Sequence, residues 1–182
     1  MEMEMQKEKL VADERRTLAY AADHFTVDGV GAFIDELANE HKFLAIFVFA
    51  TAAAPETAIN LDVATVNSRI AKLGNFPAIQ SLSNVPLHRD WELLLPVYIR
   101  GRRAALLNRR NIPPGEEPSQ VYLDRNARPF TLDKVNAAFS RLSKKLGLPI
   151  PIELETIAWV VAKQSMLERL MLQQHEPSFR RH

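Results

Sequence analysis

Residues 131–147 read TLDKVNAAFSRLSKKLG and carry the most regular helical pattern of the chain. Thr131 is a typical N-cap residue, and Gly147 is a typical residue for the end of a helix. Five apolar side chains between them recur at helical spacing: Leu132, Val135, Phe139, Leu142 and Leu146. The pattern predicts one helix from Leu132 to Leu146 that buries Val135, Phe139 and Leu142 and turns its basic residues to solvent.

Helices are also predicted before and after this segment. A charged helix covers residues 2–22, and Thr26 caps a second helix that ends near Asn39. Residues 41–53 are apolar nearly all round, which favours a buried helix, although a buried strand fits the same residues. Three further helices are predicted: a short one from Pro55, one over 91–109, and a last one over 153–173. Pro96 should either kink the second of these or mark the residue at which it starts.

Residues 62–88 predict a small antiparallel sheet. Apolar residues lie on both sides of a Gly74-Asn75 turn: Val63, Val66 and Ile70 before it, and Ile79, Leu82, Val85 and Leu87 after it. Residues 121–123 predict a short edge strand. The predicted fold class is therefore α+β, a mainly helical domain with a small antiparallel sheet.

The composition of the 182 residues is that of one globular domain, with 47% hydrophobic and 25% charged residues. We divide the chain into a charged extension (1–24), one folded domain (25–175) and a basic tail (176–182). The longest apolar run, residues 43–54, is too short to span a bilayer. The acidic start lacks the apolar stretch of a signal peptide, so we expect a cytoplasmic protein without a membrane partner.

No cofactor or metal site is predicted. The chain has no cysteine, which excludes disulfides and thiolate metal sites. Four histidines show no ligand spacing with one another or with a pair of carboxylates: His24, His41, His88 and His182. Gly-rich phosphate loops and Gly-x-Ser-x-Gly elbows are absent from the sequence as well.

The net charge of +1 conceals an uneven distribution along the chain. Residues 1–64 hold 5 Lys/Arg against 12 Asp/Glu, whereas residues 97–145 hold 11 against 4. Such a division suggests a basic face that contacts a polyanion, although solvated helix faces give the same counts.

Three stretches, in this order, resemble the catalytic domain of the tyrosine recombinases, the phage integrase family. Residues 47–61, FVFATAAAPETAINL, are similar to the family's first box, which is an apolar helix, then Thr-Gly-x-Arg-x-x-Glu, then a small apolar run ending in Leu. Residues 85–102 resemble the strand that leads into the family's middle helix. Residues 121–148 resemble the strand, turn and helix before the second box. The resemblance covers about residues 25–175 and implies DNA as the partner.

The catalytic residues of that family are largely missing here. The family clamps the scissile phosphate with two Arg residues, because a guanidinium matches a phosphate in shape and charge. Ala54 stands at the first Arg position. The second box, normally His-x-x-Arg, falls on Ile152 to Glu155. Lys72 and His175 are possible remnants of the family's general-acid lysine and of its Leu-Gly-His box.

The family's nucleophile is a tyrosine that follows the His175 position, and this sequence has none there. Its three tyrosines are Tyr20, Tyr98 and Tyr122. Without a nucleophile and both Arg residues, the covalent step has no attacking group and its transition state has no clamp. We therefore expect a protein that is not an enzyme, from a DNA recombination or integration context such as a mobile element.

Double-stranded DNA is the expected partner, with a second copy or an intact recombinase as further candidates. Nine basic residues are the predicted phosphate contacts: Arg100, Arg102, Arg103, Arg109, Arg110, Lys134, Arg141, Lys144 and Lys145. We expect the middle helix and the end of the 131–146 helix to border one surface. The alternative function is a protein-interaction or self-association module that kept the fold and lost DNA.

Overall fold

The computed structural model describes the backbone of residues 24–71 and 89–175, and the side chains of residues 24–67 and 94–168. Helices dominate these ranges. In chain order they are α1 (Val27–Glu36), α2 (Asn39–Thr51), α3 (Pro55–Ile59), α4 (Val63–Ala71), α5 (Arg89–Tyr98), a π-helical segment (Ile99–Arg103), α6 (Ala104–Arg109), α7 (Leu132–Lys145) and α8 (Leu154–His175). None of the helices in the described ranges is long and apolar enough to cross a membrane.

Helix α2 forms the centre of the core, and this confirms a buried helix over the strand alternative. Four of its side chains are fully buried: Leu44, Ala45, Phe47 and Val48. The helix packs on α1, α3 and α8, so nearly every side of it meets another element. The absence of a polar face in its sequence follows from this position.

The predicted antiparallel sheet is wrong for the described residues. Residues 63–71 form helix α4, and the carboxylate of Asp62 caps it by accepting the Thr65 N–H at 2.6 Å and the Thr65 hydroxyl at 2.5 Å. Val63, Val66 and Ile70 lie three and four residues apart, a spacing that also fits one face of a helix. The remainder of the predicted sheet, residues 72–88, lies outside the described residues.

The predicted edge strand at residues 121–123 is also wrong. The described ranges contain isolated bridges, Asp62 with Gln120 and Leu123 with Pro129, and no longer ladder. Val121 donates to the Leu61 carbonyl at 2.8 Å, and Val63 donates to the Ser119 carbonyl at 2.8 Å. This antiparallel pairing stays limited to one bridge, because α4 begins directly after Asp62.

Helix α7 confirms the helix predicted from residues 131–147, with one correction. Thr131 caps it, and Val135 and Phe139 are fully buried. Leu142 is only partly buried, and the buried side chain of the last turn is Ser143. The Ser143 hydroxyl accepts the Ile152 N–H at 2.9 Å, which fixes the chain where it turns back towards α8.

Pro96 lies inside α5 and neither begins nor ends the helix. The chain continues helically through the π-helical segment into α6 and ends at Arg109. Proline removes one backbone donor and crowds the preceding turn, and π-helical turns commonly occur where the regular helical ladder is disturbed. This wider turn sets the directions in which Arg100, Arg102 and Arg103 leave the helix.

Candidate nucleic-acid interface

The middle helix is the continuous helical stretch of α5, the π-helical segment and α6, residues 89–109. An open groove of about 560 Å³ lies between this helix, the start of α2 and the turn after Leu123. Three arginines line it: Arg102 and Arg109 from the middle helix, and Arg125 from the turn. Its apolar floor includes Ala105, Leu106 and Leu123. We call this feature the arginine groove.

A tight turn over residues 124–128 carries Arg125 into the groove. Asp124 closes the turn, because its Oδ1 accepts the N–H groups of Asn126 at 2.8 Å and Arg128 at 3.0 Å. Ala127 adopts a left-handed conformation with φ of 60°, and its N–H donates to the Asp124 carbonyl at 2.9 Å. These bonds give the turn one defined backbone geometry.

Two contacts attach this turn to the helices on either side of the groove. The Arg110 guanidinium donates to the Arg125 carbonyl at 2.9 Å and to the Asn126 side-chain oxygen at 3.2 Å. From α2, the Glu40 carboxylate accepts the Arg125 N–H at 3.0 Å. Arg110 therefore positions the turn through its own hydrogen bonds, which the sequence alone did not indicate.

The groove leaves its three guanidinium groups available for a ligand. Its two carboxylates, Glu40 and Asp124, already accept backbone N–H groups of the turn. The ion pairs found within the described ranges join other residues, such as Arg103 to Glu117 and Lys42 to Asp35. Several unpaired guanidinium groups in one groove are suited to phosphate oxygens, which they bind through paired N–H donors.

Arg103 differs from the solvent-exposed cation that was predicted. It is 4% exposed, and its guanidinium donates to Glu117 at 3.0 Å, to the Gln120 carbonyl at 3.0 Å and to the Pro118 carbonyl. The side chain joins the π-helical segment to the loop before Val121. It is a structural residue of the fold and is not available to phosphate.

The other predicted basic residues are exposed but do not line the groove. They are Arg100, Lys134, Arg141, Lys144 and Lys145. Arg141 lies close enough to His41 to affect its pKa. Burial lowers the pKa of His41 below its ordinary value of 6.5, Arg141 lowers it further, and Glu40 and Asp124 oppose both effects. Arg125, in contrast, lines the groove and was missed, although it belongs to the basic stretch 97–145.

The positions that the resemblance assigns to catalytic residues lie just before α3 and around the start of α8, two helices that contact each other. Ala54 is half-buried just before α3, Ile152 is 1% exposed, and Glu155 is half-buried in the first turn of α8. None of the three supplies a cation. His175 is the last residue of α8, and Lys72 lies outside the described residues.

Two of the three tyrosines are core residues. The Tyr122 ring packs between Phe47 at 5.7 Å and Tyr98 at 5.4 Å, measured between ring centroids. Burial raises the pKa of Tyr98 above its ordinary value of 10.0 and raises that of Tyr122 well above it. Both phenols are thus held in the neutral form, which is the poorer nucleophile. Tyr20 lies outside the described residues.

No protein-family model, no curated protein and no solved structure matches this chain. The resemblance to the tyrosine recombinases therefore depends on the three sequence stretches and stays a prediction. Within the described residues, no group of His, Asp and Glu could hold a metal ion.

Proposed function

We propose that this chain binds duplex DNA without cleaving it, as a degenerate relative of the tyrosine recombinases. The observation that carries the proposal is the arginine groove. Arg102, Arg109 and Arg125 come from two segments that are distant in sequence, yet they line one open surface. Phosphate contacts of this kind dominate the affinity of proteins for DNA and are largely independent of base sequence.

The fixed geometry of the turn supports the same function. Asp124, Glu40 and Arg110 hold the backbone of Arg125 in place before any ligand arrives. A preformed contact loses less conformational entropy on binding than a free side chain on a mobile loop. The hydrogen bonds that hold this exposed turn are therefore consistent with a binding role for Arg125.

The relationship to the recombinases is supported by the backbone of Ala52. This residue has φ of 49° and is fully buried at the end of α2. Left-handed backbone is the conformation that glycine adopts most readily. The family's first box has Gly at this position, between the Thr that aligns with Thr51 and the Arg that aligns with Ala54. Ala52 thus adopts a glycine-like backbone conformation at the position where the family's first box has glycine.

The proposed function is tested by duplex binding across a series of salt concentrations, measured by fluorescence anisotropy with duplexes of unrelated sequence. Arg109→Ala and Arg125→Ala are each expected to reduce the magnitude of the log K against log salt slope by about 0.9, because each removes about one phosphate contact. Affinity should fall alike for every duplex. Lys134→Ala is the matched control, since Lys134 is exposed but lies outside the groove.

Two outcomes contradict the proposal. If the unaltered chain binds no duplex at low salt, the chain is better explained as an interaction or self-association module. If Lys134→Ala reduces the slope as much as Arg109→Ala does, DNA contacts exposed basic residues in general and the arginine groove has no special role.

A further inference from the structure

A second cavity, of about 340 Å³, adjoins the arginine groove, shares Tyr98 and Arg102 with it, and has an almost entirely apolar lining. Its lining includes Phe43 and Ile46 of α2, Leu94 and Val97 of α5, and Tyr122. Leu94 is 51% exposed and Val97 is 68% exposed, so these large apolar side chains form an open rim. The volume exceeds the roughly 150 Å³ that admits one benzene ring, so two fused rings fit.

Tyr122 contributes a buried aromatic side chain to the wall of this cavity. Its hydroxyl has no hydrogen-bond partner among the described residues, and it has almost no accessible surface. A hydrogen bond requires an acceptor within about 3 Å of the oxygen, where no open space exists. A ligand in the cavity therefore contacts Tyr122 through apolar atoms only.

Arg102 gives the same cavity a positive charge. Its guanidinium lies over the Phe43 ring at 4.9 Å from the centroid, and both residues line the cavity. Among the described residues that line the cavity there is no carboxylate, so none of them opposes the charge of Arg102. A carboxylate complements a guanidinium in charge and in hydrogen bonding.

We infer that this cavity, which we call the Tyr122 cavity, binds a small aromatic or aliphatic carboxylate. The apolar body of the ligand lies among Phe43, Ile46 and Leu95, and its carboxylate accepts hydrogen bonds from Arg102. The cavity shares Tyr98 and Arg102 with the arginine groove, but the inference does not depend on DNA binding.

The test is isothermal titration calorimetry of the full chain, without DNA, using naphthalene-2-carboxylate as the probe. One-to-one binding is expected with a dissociation constant of about 1 mM or tighter, given about thirteen non-hydrogen atoms in the probe. Naphthalen-2-ylmethylammonium has the same rings and the opposite charge. It is expected to bind at least tenfold more weakly because it offers no acceptor to Arg102.

Gly101 allows the cavity to be filled without disturbing the fold. It lines the cavity, and a Cβ atom built on it meets nothing within 4 Å. Gly101→Leu is expected to abolish probe binding, whereas the matched variant Gly101→Ala keeps it. Arg102→Gln removes the charge at an exposed site, so it should fold normally and bind the carboxylate about tenfold to a hundredfold more weakly.

Several results overturn the inference. They are the absence of probe binding to the unaltered chain, equal binding of the carboxylate and the ammonium compound, and unchanged binding by Gly101→Leu. Concentration-dependent dimerisation that Gly101→Leu abolishes, measured by sedimentation, would assign the cavity to a second copy of the chain instead.

Discussion

Arg103 and Arg102 are neighbours in sequence with different environments. Arg102 is exposed and stacks on Phe43, whereas Arg103 is buried and makes three hydrogen bonds to the loop of residues 117–120. The planar guanidinium presents its donors in a fixed fork that suits several acceptors at once. The role of each arginine is therefore determined by the direction in which the π-helical segment points it.

Arg103→Ala is expected to lower the free energy of unfolding by about 2–4 kcal/mol, because it leaves two part-buried carbonyls and the exposed Glu117 carboxylate without their donor and removes a buried side chain. Arg103→Lys should recover little of this loss, since one ammonium group cannot reach the same acceptors. Urea unfolding monitored by circular dichroism measures both values. Arg109→Ala, at an exposed site, is the control and should change stability by about 0.5 kcal/mol or less. Equal stability of the two Ala variants would show that Arg103 is not structural.

At the scale of elements, α4 depends on its cap more than on the preferences of its residues. Val63, Thr65 and Val66 are β-branched and fit a strand as readily as a helix. The Asp62 carboxylate settles the choice by accepting two hydrogen bonds from Thr65. These bonds, first from the hydroxyl and then from the backbone N–H, lower the pKa of Asp62 below its ordinary value of 3.8.

Asp62→Ala is expected to destabilise the protein by about 1 kcal/mol at neutral pH through loss of this cap. The folded-state pKa is lowered, so the contribution is complete above 3.8 and is lost as pH falls through the folded-state value. The stability difference between Asp62→Ala and the unaltered chain should therefore shrink in acid. Thr131→Ala removes the hydroxyl cap of α7, which does not titrate, so its effect should be constant with pH. A constant effect for Asp62→Ala contradicts the assignment.

The helices were predictable wherever a cap and a periodic apolar face agreed, as at Thr26 for α1 and Thr131 for α7. The sheet failed because Val63, Val66 and Ile70 are β-branched residues that favour strands, whereas their spacing of three and four residues fits a helix, and the deciding contact is a hydrogen bond from Thr65. Short apolar segments carry this ambiguity in general.

The site was less predictable than the helices, because exposure of a cation depends on tertiary contacts. Arg103 and Arg110 have the same local sequence character as Arg102 and Arg109, yet both make hydrogen bonds to segments 14 to 17 residues away. Arg125 was missed for the converse reason: it lies in a loop, and the fold returns this loop to the middle helix.

At the scale of the whole molecule, the tyrosines within the described residues belong to the core. Tyr98 and Tyr122 stack on each other between α2 and the middle helix, and burial raises the pKa of both. The positions that the resemblance assigns to phosphate-clamping arginines hold Ala54 and Glu155. A cleavage centre built on these residues has neither a reactive phenol nor a clamp.

We expect no strand cleavage and no covalent protein–DNA adduct on nicked suicide duplexes, because Tyr98 and Tyr122 are buried as neutral phenols and Ala54 and Glu155 cannot clamp a phosphate. Denaturing electrophoresis of labelled duplex after incubation with the chain makes the measurement. Tyr20→Phe, Tyr98→Phe and Tyr122→Phe are the controls. An adduct that one of these variants abolishes would identify that tyrosine as a nucleophile and overturn the prediction.

Arg102 lines both the arginine groove and the Tyr122 cavity, so two ligands share one charge. Thermodynamic linkage makes such sharing reciprocal: the factor by which naphthalene-2-carboxylate weakens duplex binding equals the factor by which duplex weakens carboxylate binding. We expect antagonism of about fivefold or more, and Arg102→Gln should uncouple the two equilibria. Anisotropy titrations with and without saturating carboxylate measure the factor. Equal duplex affinities in the two titrations would mean that Arg102 serves only one of the two ligands.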